Sequence, residues 1–388
     1  MHSDTIPDAN RGDRTRLLRP HMPRKKVSKT PSRVPPSRPH AKAIAANPFS
    51  ALLSTVQKDV DTRLSAYFDV RLEQANAIAP EVAEMVAALF ELCRRGGKRL
   101  RPALLVAGYR AASTRADLDV ALDAGMALEL LQAYLLIHDD WMDGDATRRG
   151  GPSVHAVLGR RLKDQHKGDS AAILAGDYAS ALATELLSEL ELPSRTAPRI
   201  FGCFARMQLS AIAGQQIDLV ARSRDIERAY ALKTGSYTVH GPLELGALLA
   251  RGSAQTLLVL ERFAHPLGIA FQLQDDLLSA FGEAKKTGKP VGNDLRAGKR
   301  TLLLVKTLAR TRGADRALLQ RVLGNPRAKE RELRAALALM ESCGARADVE
   351  RRVGELAGQA LATLDGGVTS SGRELLVGAV ETLTQRRY

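Results

Sequence analysis

The chain has 388 residues, 45% of them hydrophobic and 4% aromatic, enough for a large core and a composition that favours helix over strand. Its formal net charge of +14 asks for an anionic partner, but the basic loops lack the aromatics that stack on bases, which excludes nucleic acid as the expected partner. Cys93, Cys203 and Cys343 lie far apart and form neither a metal pattern nor a disulfide framework, so a reducing, cytoplasmic setting is expected.

Residues 1–46 read as a basic Pro/Arg-rich tail, the first 45 holding eleven Lys/Arg, three Asp and seven Pro. Such a segment has too little apolar surface to offset the entropy of ordering, and disorder is expected. It lacks the apolar stretch of a secretory signal, and Asp4, Asp8 and Asp13 set it apart from an organellar transit peptide. Residues 47–388 read as one all-α unit. No repeat period and no alternating strand pattern interrupts it, and no clean apolar run of about 18 residues marks a transmembrane segment.

The first basic loop of this unit is "RRGGKRLRP", with Lys98, Arg99 and Arg101 just before a helix. Residues 117–143 then place Leu118, Leu122, Met126, Leu130 and Ile137 at helical spacing, apolar nearly all round, as at the centre of a bundle. This helix closes on "LLIHDDWMD". Asp139 and Asp143 share a helix face, while Asp140 sits about 100° round. Like charges so placed repel, so a cation belongs between them. Hard oxygen ligands at few positions suit Mg²⁺ bound together with substrate phosphates. "TRRGGPS" follows, with Arg148 and Arg149. "SAAILAGDYASALATELLSEL" and "APRIFGCFARMQLSAIAGQQIDLVARS" read as two further long helices, and "KTG" supplies Lys233 and Thr234.

The next apolar helix contains Pro266 as a possible kink and ends in "FQLQDDLLSAFG", a second pair formed by Asp275 and Asp276. Ser279 stands where a third Asp would complete the pattern of the first motif. One Asp-Asp pair can be a solvated helix end, but two, each closing a long apolar run, are costly unless they hold something. "TGKPVGNDLRAGKRT" adds Lys289 and Lys299. Arg grips phosphate oxygens with a planar fork, Lys as a point charge. Two diphosphates fit this set, one held through Mg²⁺ and one held directly by Arg and Lys.

These stretches resemble the trans-isoprenyl diphosphate synthases, or polyprenyl synthetases. "GGKRLRP", "LIHDDWMDGDATRRGGPSVH", "ILAGDYA", "GQQIDL", "KTGSYT", "FQLQDDLLSAFG" and "GKPVGNDLRAGKRT" occur in the family's order. The resemblance implies a class I isoprenoid synthase-type helical bundle with a deep central cavity, usually homodimeric. It implies Mg²⁺-dependent head-to-tail condensation of isopentenyl diphosphate with an allylic diphosphate (dimethylallyl, geranyl or farnesyl), releasing pyrophosphate. Asp139, Asp140, Asp143, Asp275 and Asp276 match the carboxylates that bind about three Mg²⁺. Arg148, Lys233, Thr234, Gln272, Lys289 and Lys299 match the allylic diphosphate site, with Gln215 a polar neighbour. Lys98, Arg101 and Arg149 match the isopentenyl diphosphate site, and Gln132 stands where many members have His. Asp139, Asp143, Arg148, Lys233 and Asp275 are the implied catalytic set. The departing pyrophosphate is the implied base.

Leu135 and Leu131 lie successive turns below Asp139, and Tyr134 is the implied limit on chain length. By resemblance it leans toward geranylgeranyl diphosphate, with farnesyl diphosphate the alternative. A class I terpene cyclase would need Ser/Thr and Glu in its second metal motif, where Ala297 and Thr301 follow Asn293 and Asp294. A His-Asp phosphohydrolase would need further His ligands, and His155 and His265 are isolated. A non-catalytic subunit of a heteromeric prenyltransferase would be expected to have lost the aspartates or Arg148 and Arg149, all of which are present.

Overall fold

The computed structural model describes residues 47–220, 225–282 and 292–385; the tail and Lys289 lie outside them. The described residues are almost entirely helical. In chain order come α1 (Pro48–Ile78), α2 (Pro80–Arg94), α3 (Leu100–Ala112), α4 (Asp119–Asp143), a hairpin of β1 (Thr147–Arg148) and β2 (Gly151–Pro152), α5 (Val154–Leu162), α6 (Gln165–Ser188), α7 (Ala197–Val220) and α8 (Ile226–Tyr230). A π-helix (Ala231–His240), α9 (Gly241–Leu249) and the long α10 (Ala254–Phe281) follow. The chain ends with α11 (Asn293–Arg296), α12 (Leu302–Arg310), α13 (Gly313–Val322), α14 (Glu330–Ser342), α15 (Ala345–Ala362) and α16 (Ser370–Thr384).

The expected central helix is α4. Ala127, Leu128, Leu130 and Leu131 are completely buried, and α4 packs against α3 and α6. It is long and apolar enough to cross a bilayer, but 72% of its most apolar window is buried inside the bundle, as in a core helix. Asn47 opens α1: its Oδ1 accepts the amides of Phe49 and Ser50 at 2.9 and 3.1 Å. Its Nδ2 donates to the Gly378 carbonyl at 2.9 Å, so one side chain joins the first helix to the last.

Apolar side chains form two clusters. The larger is built from α1–α7, the end of the π-helix, α9, the first half of α10, the end of α15 and α16; the smaller takes the second half of α10 with α11–α14 and most of α15. Helix α10 continues through Pro266, which is buried, and so belongs to both. Asp275 and Asp276 lie on its second half, between Leu273 and Leu277 of the smaller cluster. Helices α3 and α9 cross closely because Gly246 has no side chain: a Cβ there would lie 1.9 Å from the Leu105 carbonyl oxygen.

Two local departures interrupt the expected succession of α-helices. "TRRGGP" forms a tight hairpin, pairing Thr147 with Pro152 and Arg148 with Gly151. Its turn residues Arg149 and Gly150 both have positive φ, 51° and 72°, as a two-residue turn of this hand requires. "ALKTGSYTVH" is a π-helix, a winding whose extra width is often found at functional sites.

Candidate active site

Helix α4 delivers the first carboxylate group. Asp139 and Asp143 point the same way, and the expected cations stand against them. Lys233 Nζ, from the π-helix, lies 3.4 Å from Asp139 and 2.5 Å from Asp218 of α7. Lys299 Nζ lies 3.0 Å from Asp143. Asp140 turns away, its side chain only 1% exposed, and accepts the Arg148 Nε at 2.6 Å as well as a second guanidinium nitrogen. The hairpin aims Arg148 there, and Arg95 braces the hairpin by donating to the Arg148 and Pro152 carbonyls. Arg148 also stands 3.7 Å from Asp139 and 3.4 Å from Asp145.

The electrostatics follow from this layout. Burial acts to raise the Asp139 pKa, but Lys233, Lys299 and Arg148 together hold it below the ordinary carboxylate range. For Asp140 burial wins over Arg148, and its pKa is pushed up to about 6. Burial acts to lower Lys233, yet Asp139 and Asp218 raise it, so it is firmly cationic.

The second pair divides in the same manner. Asp276 is buried, with Gln272 Nε2 donating to one oxygen at 2.9 Å and the Tyr230 hydroxyl donating to the other. Gln272 in turn accepts from Thr234 Oγ1 at 2.6 Å. Burial pushes the Asp276 pKa up to about 8 despite the Tyr230 hydrogen bond, and Asp294 adds repulsion. Its neighbour Asp275 instead lines a cavity of about 370 Å³ together with Lys98, Arg101, Gln132, Arg148 and Arg149. The cavity thus joins one end of the second pair to the basic loops.

In that cavity Arg101 is held by the π-helix. Its guanidinium lies 4.4 Å from the Tyr237 ring centroid and donates to Thr238 Oγ1 at 2.6 Å. Arg101 Nε and Gln132 Oε1 are buried without a hydrogen-bond partner, and Arg149 donates to the Leu92 carbonyl at 3.3 Å. Arg99 belongs elsewhere. It is buried in a left-handed conformation and bound to Glu129, to Asp61 at 2.7 Å and to the Cys93 carbonyl at 2.9 Å, which fixes the "GGKR" loop.

Among the described residues no three Asp, Glu, His or Cys side chains converge tightly enough to hold a metal unaided. The donors nevertheless suit Mg²⁺ with phosphate oxygens completing its shell. They are hard carboxylates; Asp140 Oδ2 is buried without a hydrogen bond, and buried Asp139 Oδ1 has the Lys233 ammonium 3.4 Å away. Leu131 is fully buried, while Leu135 and Tyr134 are partly buried against the larger cluster. The Tyr134 ring meets His138 edge-on at 4.9 Å, and His138 Nε2 lies 3.0 Å from the Ile173 carbonyl oxygen of α6. A larger cleft of about 960 Å³ opens behind the π-helix, lined by Arg228, His240, Glu261, Arg262 and His265 among others, with none of the expected diphosphate residues.

Asp218, Tyr230, Tyr237 and Thr238 were not among the expected site residues. Asp218 lies within "GQQIDL" and Tyr237 and Thr238 within "KTGSYT", the latter two on a segment whose π winding the sequence does not announce, while Tyr230 at the end of α8 lies in none of the motifs.

The family model for polyprenyl synthetases matches residues 82–340. Geranylgeranyl diphosphate synthase of Sulfolobus acidocaldarius is 34% identical over 271 residues, covering 68% of this chain and 79% of that protein. Farnesyl diphosphate synthase of Geobacillus stearothermophilus is 34% identical over 272 residues, 66% of this chain and 84% of that one. The crystal structure of geranylgeranyl pyrophosphate synthase from Corynebacterium glutamicum, complexed with isoprenyl diphosphate and magnesium, superposes with a TM-score of 0.82 at 33% identity, over 86% of this chain and 99% of that one.

Proposed function

The chain belongs to the polyprenyl synthetase family, and from that premise we propose that the two halves of its site hold the two diphosphates of a prenyl transfer. It is a prenyltransferase, a Mg²⁺-dependent short-chain isoprenyl diphosphate synthase that condenses isopentenyl diphosphate with an allylic diphosphate.

The assignment of residues rests on one observation. Asp139 and Asp143 face Lys233 and Lys299 on one side, while Lys98, Arg101, Gln132 and Arg149 line a shared cavity with Arg148 and Asp275. In our reading Asp139, Asp140, Asp143, Asp275 and Asp276 would hold a cluster of about three Mg²⁺, which supplies Lewis-acid stabilisation of charge on the leaving diphosphate. Lys233, Lys299 and Arg148 would exchange carboxylate for diphosphate oxygens. Asp140 keeps the Arg148 fork aimed, and Asp276 orients Gln272. Arg101, Lys98, Arg149 and Gln132 hold isopentenyl diphosphate.

The allylic C–O bond then breaks, and its electron pair leaves with the pyrophosphate. The π electrons of isopentenyl diphosphate form the new C–C bond, and a proton passes to a pyrophosphate oxygen. In our reading the carbonyl of Lys233 and the hydroxyl of Thr234 would stabilise the cationic centre by their dipoles.

Leu131, Leu135 and Tyr134 line the path of the growing chain in this reading, and geranylgeranyl diphosphate is the product. A homodimer is part of the proposal, since α7 presents Leu209, Ile212 and Leu219 to the outside on one face. The unpaired Cys93, Cys203 and Cys343 suit a reducing compartment such as the cytoplasm.

Incubation with Mg²⁺, isopentenyl diphosphate and each of dimethylallyl, geranyl and farnesyl diphosphate tests the reading once the dephosphorylated products are sized. A C20 prenol is expected. A C15 prenol would place the limit on growth one unit higher, and a cyclic hydrocarbon would refute the residue assignment.

A further inference from the structure

Tyr230 closes α8 where the π-helix begins. Its hydroxyl donates to Asp276 and accepts the Leu302 amide at 3.2 Å. Leu302 opens α12, whose start is also capped by Thr301, with the Leu304 amide donating to Thr301 Oγ1 at 3.2 Å. The loop just ahead carries Lys299, whose ammonium reaches Asp143 of the first motif. The other Asp276 oxygen is tied through Gln272 to Thr234. A single hydroxyl therefore connects the second carboxylate pair to the segment that brings a cation to the first.

We propose that Tyr230 is a positioning residue for the diphosphate site: its hydroxyl fixes Asp276 and locks α12, and with it the Lys299 loop, to the second carboxylate pair. The inference rests on the reading of that pair as part of the metal–diphosphate site. Packing alone does not call for the hydroxyl. The ring lies against the smaller apolar cluster, where phenylalanine would serve equally. The hydroxyl matters because it satisfies a donor and an acceptor at once, and outer hydrogen bonds of this kind set the orientation of ligating carboxylates.

The test compares Tyr230→Phe with the wild-type chain by Mg²⁺ titration at fixed inorganic pyrophosphate, read as thermal stabilisation and calorimetric heat. Loss of an outer hydrogen bond weakens metal binding roughly tenfold or more. The Mg²⁺ midpoint should rise by that factor in a variant of unchanged helicity. KM for the allylic diphosphate should rise with it, while KM for isopentenyl diphosphate stays. In the wild-type chain, hydrogen exchange at the Leu302 amide should slow when Mg²⁺ and pyrophosphate are added together.

Asp275→Asn separates the two ways of failing. If it shifts the midpoint and Tyr230→Phe does not, the role given to Tyr230 is wrong. If neither shifts it, the second pair is not part of the metal site and the proposal falls with that reading. Unchanged Leu302 exchange in the wild-type chain would also overturn the lock.

Discussion

Lys233 between Asp139 and Asp218 shows how single residues set the resting charge of the site. Lysines now occupy the carboxylates that a metal would claim, and the one carboxyl raised furthest is Asp276, at about 8. The sign follows from linkage. Between the ordinary carboxylate range and about pH 8 the native state holds a proton on Asp276 that the unfolded chain has shed, so metal-free stability falls as pH rises through that window. Asp276→Asn removes this loss. Its thermal midpoint should exceed the wild-type value by more at pH 8 than at pH 5, and a constant offset would contradict the burial argument. The facing of Asp139 and Asp143, and the need for cations beside them, were legible from helical spacing alone. The separate fate of Asp140 was half legible: its angle was, its Arg148 partner was not, because that pairing depends on a hairpin. Tyr230 left no signal, since an isolated hydroxyl has no spacing to read.

At the scale of elements, backbone approach matters as much as side-chain pattern. Gly246 lets α9 sit on α3, and Gly246→Ala would set a Cβ 1.9 Å from the Leu105 carbonyl oxygen, against backbone that cannot swing away. We expect a loss of about 1–3 kcal/mol or more in urea unfolding; a change within about 0.5 kcal/mol, as at a surface site, would contradict that crossing. Helix α4 against α6 carries the chain-length argument. Tyr134 is braced by His138, which reaches the Ile173 carbonyl. Tyr134→Ala should lengthen the prenol recovered, and an unchanged product spectrum would put the floor of the path elsewhere. The long helices were readable because apolar residues recur at their period over many turns. The π-helix was not, since ten residues give too few turns to separate its period from that of an α-helix.

Across the whole molecule, α10 belongs to both apolar clusters, changing over between Leu267 and Ile269, and the second carboxylate pair lies on its half within the smaller one. Sequence order and composition were sufficient for an all-α chain, but the sharing of α10 and α15 by two clusters is a matter of tertiary packing that no local pattern encodes. The exposed face of α7 points to assembly. Leu209→Asp should convert a sedimenting dimer to monomer, and a wild-type chain that sediments as a monomer would refute the homodimer.

The proposed site has two distinct diphosphate halves, bridged by the π-helix that carries Lys233 on one side and holds Arg101 on the other. Steady-state kinetics of Arg101→Ala with both substrates varied tests it most directly. Loss of charged hydrogen bonds to one diphosphate should raise KM for isopentenyl diphosphate roughly tenfold or more and leave that for the allylic diphosphate near its wild-type value. An equal rise in both, or a rise confined to the allylic substrate, would contradict the division of the site.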